Sequence, residues 1–184
     1  MRIDDLCRLI DEHFDKEEFE RSLEYCDLLA SEYPSEQTTE DIFKKGLCHY
    51  RLDDNASALS CFDRALEREP ENILALTNKA ICLYGLERIP EAFALFNRII
   101  KINPEVFPPW YYIGFYYLKK YSTSRDPHDL AIAVNACRRL LDMVPDYGEF
   151  PVYDPVRQRE LRLDFFLYLH NDVEDLTVEE MTTL

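Results

Sequence analysis

Pro70 and Pro104 stand 34 residues apart, and so do Ala58 and Ala92, Phe62 and Phe96, and Gly46 and Ala80. A fixed spacing of this length marks a supersecondary unit copied along the chain. Each copy buries its apolar face only against its neighbours, so the fold grows by stacking.

The unit reads as a pair of helices. Within Leu74–Tyr84 apolar residues recur at three- and four-residue steps, the spacing of one helix face. No stretch alternates with period two long enough to suggest a sheet. Gly46, Ala80 and Gly114 sit where the two helices of a pair would cross, and Ala58, Ala92 and Ala133 are their counterparts on the second helices. Phe62 and Phe96 are placed to fill the gap between successive pairs. The prolines stop each second helix. The pattern predicts eight helices, over about 2–14, 18–32, 39–51, 55–68, 72–85, 88–102, 107–121 and 127–143. Asp126 before Pro127 reads as an N-cap followed by proline at the first helical position.

The stretches IFKKGLCHYRLDDNASALSCFDRALEREP, starting at Ile42, and LTNKAICLYGLERIPEAFALFNRIIKINP, starting at Leu76, resemble the tetratricopeptide repeat (TPR). In that pattern a bulky, a small and an aromatic residue mark the first helix. A small residue, an aromatic, a small residue and a proline mark the second. A further copy opens with Trp110–Tyr117 and closes with Ala133, Cys137, Leu140 and Pro145 after the insertion YSTSRDPHD; the 41 residues from Pro104 to Pro145 imply about seven extra residues, expected in its turn. A weaker copy runs through Leu6, Leu9, Ile10, His13, Ser22, Cys26, Leu29 and Pro34. The resemblance covers roughly residues 1–145. It implies an all-α TPR-type helix-hairpin solenoid of about four repeats, over about 2–36, 39–72, 73–106 and 107–147. Beyond it, Val156–His170 reads as a ninth helix that caps the array, within a segment 148–170. Residues 171–184 hold five acids and no base and read as a flexible tail.

In TPR proteins the first helices line a concave groove that binds peptides. The resemblance carries that role to Cys7, Asp11 and Phe14 in the first repeat, and to Phe43, Lys44, Leu47 and Tyr50 in the second. In the third it falls on Thr77, Asn78, Ile81 and Tyr84, and in the fourth on Tyr111, Tyr112, Phe115 and Lys119. Such a surface is apolar and aromatic, the chemistry of interface anchors. One TPR subclass grips an acidic C-terminal tail through Lys, Asn and Arg. Here Asn78 matches, but Phe43, Leu47, Pro108 and Tyr112 stand where four of its donors belong, so that clamp is absent. The implied function is a scaffold or adaptor that binds a protein or peptide. The alternative is a self-associating structural protein, its groove or end filled by its own C-terminal helix or by a second copy in a homodimer.

Composition narrows the partner further. A formal net charge of −15 repels nucleic acid and anionic lipid. No run of 18 apolar residues suggests a membrane helix, and the opening MRIDDLCRLIDEHF lacks the apolar core of a signal peptide. Six cysteines without a CxxC pair read as reduced thiols, so a cytoplasmic location is expected. Cys26, Cys48, Cys82 and Cys137 occupy repeat positions that take core residues, as His13 and His49 occupy one that usually holds Tyr. Paired acids such as Asp53–Asp54, and basic pairs such as Lys119–Lys120, read as solvated surface. Four glycines make no phosphate loop, and the cysteine and histidine spacings match no structural zinc site. No enzyme activity, cofactor or metal is expected.

Overall fold

A computed structural model describes residues 1–143, all of its regular structure helical. The helices are α1 (Ile3–Asp15), α2 (Phe19–Glu32), α3 (Thr39–Arg51), α4 (Asn55–Arg68), α5 (Ile73–Gly85), α6 (Ile89–Ile102), α7 (Phe107–Ser124) and α8 (Pro127–Met143). The all-α helical-repeat fold read from the spacing is therefore the fold observed. The expected capping helix over 156–170 and the tail over 171–184 lie outside the described residues. The chain divides into two compact units, Met1–Pro109 and Trp110–Leu184.

In the first unit α1 pairs with α2, α3 with α4, and α5 with α6. Each second helix also packs on the first helix of the next pair, and α3 touches α5 directly. The first helices thus form one layer and the second helices another. Local chemistry explains where the helices begin. The Thr38 hydroxyl accepts from the Asp41 amide while Asp41 receives the Thr38 amide, a capping box; Asp54 and Asn72 cap α4 and α5 through the amides of Ser57 and Ala75.

The hairpin turns are built to one pattern. Glu17, Asp53 and Glu87 all lie in the left-handed region, at φ 60°, 60° and 58°. In each turn the next residue's amide reaches back to a first-helix carbonyl at 2.9 Å: Glu18 to His13, Asp54 to His49, and Arg88 to Leu83. This is the Schellman closure, whose left-handed residue is ordinarily glycine. Glutamate there carries a steric cost of roughly 1 kcal/mol. Glu87→Gly is accordingly expected to stabilise the protein by about 0.5–1 kcal/mol in urea unfolding; an unchanged or lower midpoint would refute this.

The core lies between the layers. Phe62 and Phe96 are wholly buried, as are Leu6, Ile10 and Leu29 in the first hairpin and Ala58, Ala80 and Ala92 at the helix crossings. The small residues have a steric reason at Gly46, where an added Cβ would lie 2.7 Å from Phe62 Cε1.

The second unit carries most of α7 and all of α8. Gly114 faces Ala136, where an added Cβ would stand 3.3 Å away, and Leu118, Ala133 and Cys137 form the core. As expected, Pro127 begins α8 and Asp126 Oδ1 accepts from the His128 amide at 2.9 Å. The insertion corrects the sequence reading. It does not lengthen the turn, which is only Arg125 and Asp126; instead α7 has 18 residues against 13 in α3 and α5. The Ser122 and Thr123 hydroxyls bond back to the carbonyls of Lys119 and Lys120, and Asp129 receives Lys120 Nζ at 2.7 Å and Ser124 Oγ at 3.0 Å. Asp129 is almost fully buried, and the Lys120 ammonium holds its carboxyl below the usual range. Lys120 is therefore an internal partner, not the plain surface charge expected of it.

Candidate functional site

On a helix, residues three, four and seven apart share a face. On α3 this places Phe43, Leu47 and Tyr50 in one row, and the 34-residue step carries the row to Thr77, Ile81 and Tyr84 on α5. The 36-residue step carries it back to Cys7, Asp11 and Phe14 on α1. The first-helix layer thus presents the sequence-predicted residues of the first three repeats together. Cys7, Phe14, Leu47, Tyr50, Ile81 and Tyr84 are half-buried, and Leu74 beside them is 40% exposed.

Several members have further attachments. Phe43 also packs inward, its ring 5.7 Å from that of Phe62, and supports the core formed by Ile42, Cys61, Ala65 and Ala75. Phe14 meets Phe19 edge-on at 5.6 Å. Thr77 is buried, and its hydroxyl has no hydrogen-bond partner among the described residues. Asn78, the one match to the acidic-tail clamp, gives its amide to the Leu74 carbonyl of its own helix at 2.8 Å.

The residues predicted on α7 belong to the second unit and form their own aromatic cluster. Tyr111 stacks on Phe115 at 6.2 Å and meets Tyr112 edge-on at 5.3 Å. Tyr112 and Phe115 are half-buried and Lys119 is exposed. Tyr111, expected on an open groove, is only 7% exposed: it is a packing residue.

Charges on the first-helix layer are paired inside the protein. Lys44 Nζ lies 2.6 Å from Asp11 Oδ1 and 3.3 Å from Glu40 Oε1, tying α3 to α1. Burial opposes its charge, but these two carboxylates outweigh it and hold the Lys44 ammonium above its ordinary range. Arg51 reaches Glu17 at 3.3 Å and stacks over the Phe19 ring at 4.6 Å.

Other inter-repeat contacts were not foreseen. Lys45 on α3 meets Asp27 on α2 at 2.5 Å, and Lys79 on α5 meets Asp63 on α4 in the same way. Arg64 binds Gln37 Oε1 at 3.1 Å, and Arg98, one repeat later, binds the Pro70 carbonyl at 2.7 Å. The signal was present in the spacing: Lys45 to Lys79 and Arg64 to Arg98 are both 34 residues. The acids of these rungs are exposed, so each pair is worth about 1 kcal/mol or less and mainly fixes the register of neighbouring hairpins.

The histidines and cysteines are structural. His13 stacks on Tyr25 at 5.3 Å and shares a 2.6 Å hydrogen bond with Glu18; His49 is 3.2 Å from Asp54. Cys26, Cys48, Cys61, Cys82 and Cys137 are buried and Cys7 half-buried. Burial pushes the Cys82 thiol up to about 12 and the Cys137 thiol up to about 11, which keeps both protonated. Among the described residues no three His, Cys, Asp or Glu side chains converge to hold a metal ion, and no helix is long and apolar enough to cross a membrane.

Comparison with known proteins places this geometry. Residues 43–106, which span most of α3 and all of α4–α6, match the tetratricopeptide repeat family model. No curated protein matches the chain. Among solved structures it is similar to YrrB, described as "a TPR protein with an unusual peptide-binding site", at 17% identity and a TM-score of 0.62, covering 75% of this chain and 66% of YrrB. It is also similar to MamA from Desulfovibrio magneticus RS-1, at 16% identity and a TM-score of 0.63, covering 94% of this chain and 96% of that one. TTC0263, a thermophilic TPR protein of Thermus thermophilus, aligns at 16% identity with a TM-score of 0.52 over 90% of this chain and 98% of its own. At such identities the likeness speaks for the fold. Repeat spacing, hairpin geometry and family match agree: the chain is a tetratricopeptide-repeat protein.

Proposed function

We propose that the first unit is a protein-interaction module whose first-helix face receives a segment of another protein. The observation that carries this reading is the row Leu47, Tyr50, Leu74, Ile81 and Tyr84, part-exposed apolar and aromatic surface continuous across two repeats. Contiguous surface of this kind marks interfaces, and aromatic side chains are common anchors there. YrrB, a neighbour in fold, is described as having a peptide-binding site. The reading includes no catalytic step.

The test compares the parent chain with Leu47→Glu/Ile81→Glu in pull-downs from lysate, after circular dichroism and thermal melts show both folded. A partner held by the parent and lost by the variant is expected. Identical partners on both would overturn the reading. No partner on either, with a dimer in light scattering, would replace it with self-association.

A further inference from the structure

We propose that the segment received by the first-helix face is cationic as well as apolar, with Lys or Arg a few residues from its hydrophobic anchors. This rests on the reading that the face is the binding surface, and it goes further by assigning the partner's charge and polarity along the groove.

The unit's excess charge is unevenly spread. Residues 1–36 hold twelve Asp and Glu against four Lys and Arg; residues 37–109 hold eleven against nine. Along the first-helix layer this becomes a gradient. On α1, Asp4, Asp11 and Asp15 lie on the face that carries Cys7 and Phe14, and all three are exposed, as is Glu40 at the start of α3. At the other end α5 has one charged residue, Lys79, and Asp63 engages it away from the row.

The groups that would greet an anion are already committed. Lys44 is held between Asp11 and Glu40, Arg51 lies between Glu17 and the Phe19 ring, and the Asn78 amide is bound to its own helix. An acidic segment would have to break these contacts and then face the surplus carboxylates of α1. A basic segment breaks none and meets exposed carboxylates. Opposite charge across an interface speeds encounter and selects the partner, while the apolar row supplies the anchors.

Spacing gives the partner a direction. Packed helices lie about 8–10 Å apart, so α1 stands about 16–20 Å from α5 across the layer. An extended chain rises about 3.3 Å per residue and crosses that span in roughly five or six residues. The partner's apolar anchors would sit over α3 and α5, and its cations that many residues away over α1.

The test uses the full chain and labelled synthetic peptides: two Leu and one Trp joined through a short spacer to four Lys, and the same peptide with four Glu. Fluorescence anisotropy should show the Lys peptide binding at least about tenfold more tightly, with the preference shrinking in high salt. Asp11→Asn/Asp15→Asn/Glu40→Gln should remove most of it. Glu20→Gln/Glu24→Gln/Glu32→Gln on α2, which neutralises as many charges elsewhere, should not. Equal binding of the two peptides, both lost in Leu47→Glu/Ile81→Glu, would overturn the charge assignment and leave the binding face standing. Equal loss from the two neutralised variants, or Lys-peptide binding undisturbed by Leu47→Glu/Ile81→Glu, would mean general attraction to an acidic protein and overturn both. No binding of either peptide would overturn the charge assignment.

Discussion

Phe62→Ala should destabilise the first unit by about 3–5 kcal/mol, the cost of emptying a phenylalanine site that cannot collapse. Phe62 is wholly buried on α4 and its ring fills the space left by Gly46 on α3, with Phe43 5.7 Å away. The backbone around it is fixed by the capped starts of α3 and α4, so the walls have little freedom to close. A domain of this size is stable by about 5–15 kcal/mol, and each hairpin depends on its neighbours, so one cavity removes a third or more of the total. In urea the midpoint should fall sharply with little change in slope. A shift worth under about 1 kcal/mol would show that the hairpin repacks and that the ring is not the centre of the core.

Gly46→Ala should also destabilise, although alanine is the better helix former. The helix term favours alanine by about 1 kcal/mol. Against it, the new methyl would lie 2.7 Å and 2.9 Å from the Phe62 ring and 3.1 Å from Cys61 Cβ, and Phe62 has nowhere to go. Overpacking of this kind costs typically about 1–3 kcal/mol. With the ring and backbone held on both sides, we expect the upper part of that range and a net loss of about 1–2 kcal/mol. Gly85, near the end of α5, has nothing within 4 Å of an added Cβ, so Gly85→Ala should instead gain up to about 1 kcal/mol. Opposite signs for one substitution are the diagnostic result. Gly46→Ala/Phe62→Leu should cost less than the sum of its single changes, because a smaller side chain makes room for the methyl. If Gly46→Ala is as stable as the parent, close approach of α3 and α4 is not what requires the glycine.

Much of this architecture was legible because the repeat states its rule more than once. The expected spans 39–51 and 55–68 coincide with α3 and α4, since Thr38 and Asp54 both mark and make the helix starts. The same rule misled at α7. Tyr121–Ser124 has the composition of a loop, yet the helix continues through it: two hydroxyls return to its own carbonyls, and Asp129 from α8 ties down Lys120. Composition reports only that acids and lysines prefer water; it does not show a carboxylate buried under a hairpin. The candidate face divides along the same line. Period alone brings Leu47, Tyr50, Ile81 and Tyr84 into one row. The inward packing of Phe43, the burial of Tyr111 and the engagement of Lys44 and Asn78 depend on partners elsewhere in the chain, which one-dimensional spacing does not name.

The rungs joining neighbouring hairpins bear on how such a chain can change in length. Asp27–Lys45 and Asp63–Lys79 are one connection made twice, and the clasp of Arg64 on Gln37 returns as Arg98 on Pro70. A duplicate of residues 37–70 spliced in after Pro70 would offer Lys45 to the Asp63 before it and its own Asp63 to the Lys79 after it. Both new junctions would be chemically complete without a compensating substitution. Each such duplication would widen the first-helix layer by about one helix spacing, since only the first helix of the added pair joins that layer. Reach is therefore a property this gene can alter in whole steps by recombination, while the fit at every seam stays the same.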